Sequence, residues 1–163
     1  MKTIACFIPA LLLCINLLAQ KPFTLKVSGV VSKPLQLTME DLNAMPGTTA
    51  LLQDRDGKSH TYSGVPVSAI LTKAGVTTGK ALHGENLSKY LLVTCADGYE
   101  VLFSLAELDS SFTDKKVILA YKADGVALPP SKGPLRLVAE GEKRPARSSY
   151  QVVALAVRSG RER

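Results

Sequence analysis

The sequence predicts a mixed α+β domain, rich in sheet, with short helices set between strands. Three observations carry that expectation. Short apolar stretches recur along the chain, the first alternating through Leu25 and Val27, the signature of a half-buried strand. Three Asp-Gly pairs, Asp56-Gly57, Asp97-Gly98 and Asp124-Gly125, supply hairpin turn chemistry between such stretches. Two Thr/Ser-x-x-Asp/Glu patterns, Thr38 with Asp41 and Ser104 with Glu107, mark helix starts.

Taken in order, "FTLKVSGVV" reads as a strand with Gly29 at a bulge, and "LQLT" as a second, short one. Thr38 then caps the helix "MEDLNAM", which Pro46 and Gly47 stop. "TTALLQDRDGKSHTY" forms a hairpin around Asp56-Gly57. In "YSGVPVSAILTKAGV", Pro66 suits a first helical turn, Ile70, Leu71 and Ala74 share a face, and Gly75 ends the helix. "TTGKALHGENLSK" is polar and glycine-punctuated, a loop in which His83 is solvated. "LLVTCADGYEVLFSL" is a second hairpin, and "VILAYKADG", "GPLRLVAE" and "YQVVALAV" supply the last strands.

Residues 1–19 carry Lys2, an apolar run from Ile4 to Leu18 and a small residue, Ala19, at a cleavage point. This is the pattern of a secretory leader; a retained anchor is the competing reading. The expected organisation is leader 1–19, one domain over 20–158, and a charged tail over 159–163. No other apolar run nears the ~20 residues of a membrane span. The expected location is therefore outside the cytoplasm, periplasmic or extracellular. Cleavage removes Cys6 and Cys14 and leaves Cys95 alone, so no internal disulfide forms.

The chain carries 20 basic and 14 acidic side chains, net +6. Lys132, Arg136, Lys143, Arg144 and Arg147 crowd the C-terminal third and favour an anionic partner. Nucleic acid is a poor fit, because no aromatic-basic interleaving accompanies the charge. No zinc spacing, Ser-His-Asp set, glycine-rich phosphate loop or paired-carboxylate site is present, and His60 reads as structural.

Four words in order carry a resemblance: "VSGVVSKPLQLTMEDLNAMP", "YSGVPVSAILTKAGV", "CADGYEVLFSLAEL" and "VILAYKADGVALPPSKGPLRLVAE". Together they resemble the molybdopterin-binding domain of the sulfite oxidase family, over nearly the whole chain after the leader. The resemblance implies the sulfite oxidase-type fold, molybdopterin as cofactor, and a protein cysteine that binds molybdenum. In that family the cysteine lies between the first helix and the aromatic-x-Gly-Val-Pro word. Here that segment is "GTTALLQDRDGKSHT", which contains no cysteine. Related molybdenum enzymes commonly leave the cytoplasm folded, with a twin-arginine leader, whereas this leader has no arginine.

Cys95 is the remaining thiol. If Asp97-Gly98 is a two-residue turn, Cys95 pairs with Glu100 and points away from Tyr99, into the core with Val93 and Leu102. No catalytic residue or metal ligand is then assigned. The expected binding set is Asp97, Gly98 and Tyr99, which the resemblance puts at the pocket, with Lys132, Arg136 and Arg147 as anion contacts. A structural salt bridge is the equal alternative for Arg136. The leading function is a non-catalytic binder of a small anionic ligand or an exported partner protein. The alternatives are an oxidoreductase with unusual metal ligation and a purely structural protein.

Overall fold

The computed structural model describes residues 22–161, so the expected leader lies outside the described residues. The strands run β1 Thr24–Gly29, β2 Leu35–Thr38, β3 Thr48–Gln53, β4 Ser59–Pro66, β5 Lys89–Cys95, β6 Glu100–Ser104, β7 Val117–Ala123, β8 Val126–Ala127, β9 Arg136–Ala139 and β10 Val152–Ser159. Two α-helices, α1 Met39–Asn43 and α2 Val67–Lys73, interrupt them. The sheet-rich α+β expectation holds.

One sheet has the order β2-β1-β10-β5-β6, in which β1 and β10 run parallel and the other pairs antiparallel. The second has the order β3-β4-β7-β8, with β9 also on β7. Alternation decides which faces meet. Leu25 and Val27 of β1, Leu91 and Val93 of β5 and Leu155 and Val157 of β10 pack with Val65, Leu119, Leu135 and Leu137 of the second layer. Ile70 and Leu71 of α2 seal the same core. Burial of these apolar faces, at about 25 cal/mol per Å², is the main drive for stacking the layers.

The opposite face of the second sheet holds a smaller cluster: Ala50, Leu52, Tyr62, Ile118, Ala120 and Val138. Period-2 side-chain alternation puts Arg136 of β9 on this face, opposite Ala120, while its neighbours Leu135 and Leu137 enter the main core. Gly64 makes the layer possible, because a Cβ there would sit 2.0 Å from the Leu119 carbonyl oxygen.

Both capping boxes form. Thr38 Oγ1 accepts from the Asp41 amide while the Asp41 carboxylate accepts from the Thr38 amide, and Ser104 and Glu107 repeat the exchange. The segment 77–89 is not purely loop: Gly79–Ala81 and Gly84–Ser88 are 3-10 turns, between which Leu82 is buried. Burial of Leu82 and the hydrogen bond of the Gly79 amide to the Asp109 carboxylate tie this polar stretch to the domain.

The three Asp-Gly pairs do not make the same turn. Asp124 (φ 49°) and Gly125 (φ 81°) form a two-residue turn joining Ala123 to Val126. At Asp97-Gly98, Gly98 (φ 84°) donates to the Cys95 carbonyl and the Cys95 amide donates to Tyr99. That is a three-residue loop, Ala96-Asp97-Gly98, with glycine in the left-handed position. The expected pairing of Cys95 with Glu100 is therefore corrected: Glu100 pairs with Thr94, and Cys95 stands opposite Tyr99. The extra residue reverses the expected facing of Cys95 relative to Tyr99.

Candidate functional site

The β3–β4 hairpin uses the same three-residue device. The Asp54 amide donates to the Lys58 carbonyl, and Gly57 (φ 78°) donates back to Asp54. This loop holds the Asp54 side chain, 8% exposed, against the Arg136 guanidinium, 1% exposed. Nη1 meets Oδ2 at 2.7 Å and Nη2 meets Oδ1 at 3.1 Å, a forked ion pair. Arg136 also donates to the Tyr62 hydroxyl, which donates onward to Asp54 at 3.0 Å. The guanidinium lies between two rings, 4.7 Å from the Tyr62 centroid and 4.2 Å from that of Tyr150. The Arg136 hydrogen bond holds the Asp54 carboxyl far below the usual carboxylate range. Burial pushes the Tyr62 phenol up, so it stays a neutral donor.

Two cavities open on this platform, and Arg55 and Tyr150 line both. The first, about 430 Å³, is bounded by Asp54, Tyr62, Lys132 and the acidic pair Asp56 and Asp124. Lys132 Nζ stands 5.5 Å from the Tyr150 centroid. His60 bridges the rim: Nδ1 lies 2.6 Å from Asp124 Oδ2 and Nε2 lies 3.3 Å from Asp56 Oδ2. It ties the β3–β4 loop to the β7–β8 turn, and Asp124, then Asp56, raise its pKa. The structural role expected for His60 is what it performs.

The second cavity, about 300 Å³, is lined by Cys95, Asp97, Tyr99, Ser149 and Gln151 along with the shared pair. Cys95 is buried in the main core yet forms part of this wall. Burial raises its thiol pKa, and the adjacent Ser149 hydroxyl opposes that only in part. A protonated, enclosed thiol is a poor nucleophile and a poor metal ligand. The expectation that Cys95 and Tyr99 diverge is overturned by the loop length, since both line one cavity.

The six residues expected to bind do not converge. Asp97 and Tyr99 line the second cavity, where the Tyr99 hydroxyl donates to the Ala146 carbonyl at 3.0 Å. Gly98 acts through its backbone, shaping the turn. Lys132 lines the first cavity. For Arg136 the structural salt bridge, the equal alternative, is the one formed, and the anion contact is corrected because Asp54 already neutralises it.

Arg147 is corrected on the same ground. It binds Glu107 and Glu142, donates to the Leu102 carbonyl at 3.1 Å and lies 4.1 Å from the Phe103 centroid. It thereby borders a separate cavity. Sequence reasoning missed Asp54, Arg55, Tyr62 and Tyr150. The signal for Asp54 was only its place in "GTTALLQDRDGKSHT", the segment where the family resemblance puts a metal-binding thiolate.

A family model described as the oxidoreductase molybdopterin binding domain matches residues 14–144, and the chain belongs to that family. Among solved structures, the chain is similar to the sulfane dehydrogenase SoxCD from Paracoccus pantotrophus, at 26% identity and a TM-score of 0.65. The match covers 85% of this chain and 38% of that one, so the similar chain is much longer. No curated protein matches.

Proposed function

We propose that this is an exported, non-catalytic member of the molybdopterin-binding family that takes a small anionic ligand and holds no molybdenum. The observation that carries the reading is the Asp54–Arg136 pair. In the segment where the resemblance implies a thiolate, the buried acidic group is Asp54, and a guanidinium already occupies both its oxygens. Cys95 offers no replacement, being enclosed and held protonated. The residues present do not fit a molybdenum held by a protein thiolate.

Two cations remain for a ligand. Arg55 and Lys132 make no salt bridge among the described residues, and each borders the first cavity. Asp56 and Asp124 on the rim are engaged by His60, so a small oxyanion held by Arg55 and Lys132 gains charge-assisted hydrogen bonds, with Tyr150 as an adjoining wall. Such contacts support moderate affinity once ordering costs are subtracted. The alternative, a molybdopterin-dependent oxidoreductase with another ligand to the metal, is favoured by the family match itself.

Elemental analysis and non-denaturing mass spectrometry of protein taken from its own exported fraction separate the two. The expected result is a chain shorter by about nineteen residues, the length of a typical leader, with no molybdenum. Near-stoichiometric molybdenum with bound pterin would establish the oxidoreductase instead.

A further inference from the structure

The second cavity holds a polar group that the fold leaves unused. Ser149 is 5% exposed, and its hydroxyl is buried with no hydrogen-bond partner among the described residues. It adjoins the Cys95 thiol without a well-formed hydrogen bond to it. Three neighbouring polar side chains of this wall are engaged, while Ser131 is exposed to solvent. Tyr99 donates to the Ala146 carbonyl, Ser148 Oγ accepts from the Ala139 amide, and Gln151 donates to the Pro130 carbonyl. An unpaired buried hydroxyl is a standing cost to the fold, and alanine in its place would remove that cost.

The charges around the cavity sort what it admits. Arg55 stands on the boundary with the first cavity, and Asp97 on the wall beside Tyr99. An anion fits at Arg55, whereas a second anion entering this cavity would pass the exposed Asp97 carboxylate and lose its hydration. A neutral hydroxyl suffers neither penalty and supplies both a donor and an acceptor. At about 300 Å³ the space is at the small end of ligand cavities.

We propose that this cavity receives the uncharged hydroxyl end of a small oxyanion, with Ser149 as its hydrogen-bond partner and the anionic end at Arg55. The inference rests on the anion-binding reading and names the ligand class: a phosphate or carboxylate that also carries a hydroxyl group. The Ser149 hydroxyl is enclosed in the wall, so this contact requires its side chain to turn about the Cα–Cβ bond toward the cavity.

The test is calorimetric titration of the full exported chain with inorganic phosphate and with glycerol 3-phosphate. Glycerol 3-phosphate is expected to bind about tenfold more tightly, the worth of one added hydrogen bond. Ser149→Ala should erase that advantage without lowering phosphate affinity or the melting temperature, and Arg55→Ala should weaken both ligands.

A second readout uses the wild type alone. Methyl methanethiosulfonate forms a mixed disulfide with Cys95 as methanesulfinate leaves, and glycerol 3-phosphate, but not phosphate, should slow this labelling. Equal affinities for the two ligands, an advantage that survives in Ser149→Ala, or equal labelling would overturn the proposal. Absence of any phosphate binding would instead overturn the anion reading beneath it.

Discussion

Asp54 and Arg136, 82 positions apart in sequence, close a forked ion pair at 2.7 and 3.1 Å under the rings of Tyr62 and Tyr150. It joins the β3–β4 loop to β9. Because both groups are almost fully enclosed, removing one leaves the other charged and without a partner. Arg136→Leu is therefore expected to cost about 3–5 kcal/mol of stability. The double variant Asp54→Leu with Arg136→Leu should cost clearly less than the two single changes combined. Urea denaturation of all four proteins measures this; additive losses would show that the pair is not coupled.

Acid should act through the same pair. The folded-state pKa of Asp54 is depressed, so its contribution is present above the unfolded carboxyl value of about 3.9 and is lost as pH falls below it. The unfolding midpoint of the wild type should fall between about pH 5 and pH 2. Asp54→Asn, already destabilised, should show a shallower fall over the same range.

His60 works in the opposite direction. Asp124 and Asp56 raise its pKa, so the stabilisation is complete below the unfolded value of about 6.5 and disappears as pH rises through the folded value. The wild type should exceed His60→Gln in melting temperature at about pH 5.5, and the gap should narrow at about pH 9. A gap that does not change with pH would assign His60 to packing alone.

Cys95 is expected to behave as a small core residue. It sits among Val93, Val101 and Val152 at the end of β5, enclosed on the core side. Cys95→Ala should cost about 1 kcal/mol, in the ordinary range for a small truncation. Thiol labelling of the native chain should be far slower than in denaturant. Labelling at the denatured rate would show the cavity wall to be open.

Local signals in the sequence survived into the structure because their physics is local. Thr38 with Asp41 and Ser104 with Glu107 are three residues apart, and each pair forms the reciprocal cap that its spacing allows. Gly75 ends α2 as expected, following the Ala74 cap at φ 70°, whereas Pro66, expected in the first helical turn, is the last residue of β4 and directly precedes Val67. Helix α1, expected to reach Met45, ends at Asn43: the Ala44 amide caps it on the Glu40 carbonyl, and Met45 closes a tighter turn on Leu42 before Pro46.

Alternation along the chain determined by itself that this protein is a layered, sheet-rich domain, because period-2 burial depends only on neighbouring side chains. The family words determined its membership, since they record strand, turn and helix in order. Only the tertiary structure decided the site. The Asp-Gly pairs at 56, 97 and 124 are identical dipeptides, yet one closes a two-residue turn and two close three-residue loops. That one-residue difference put Cys95 and Tyr99 on the same cavity. Likewise, arginines and lysines look alike in a sequence, but whether each meets a carboxylate depends on elements far apart along the chain. Arg136 and Arg147 found theirs, Arg55 and Lys132 did not among the described residues, and charge left unpaired near a cavity is what remains for a ligand.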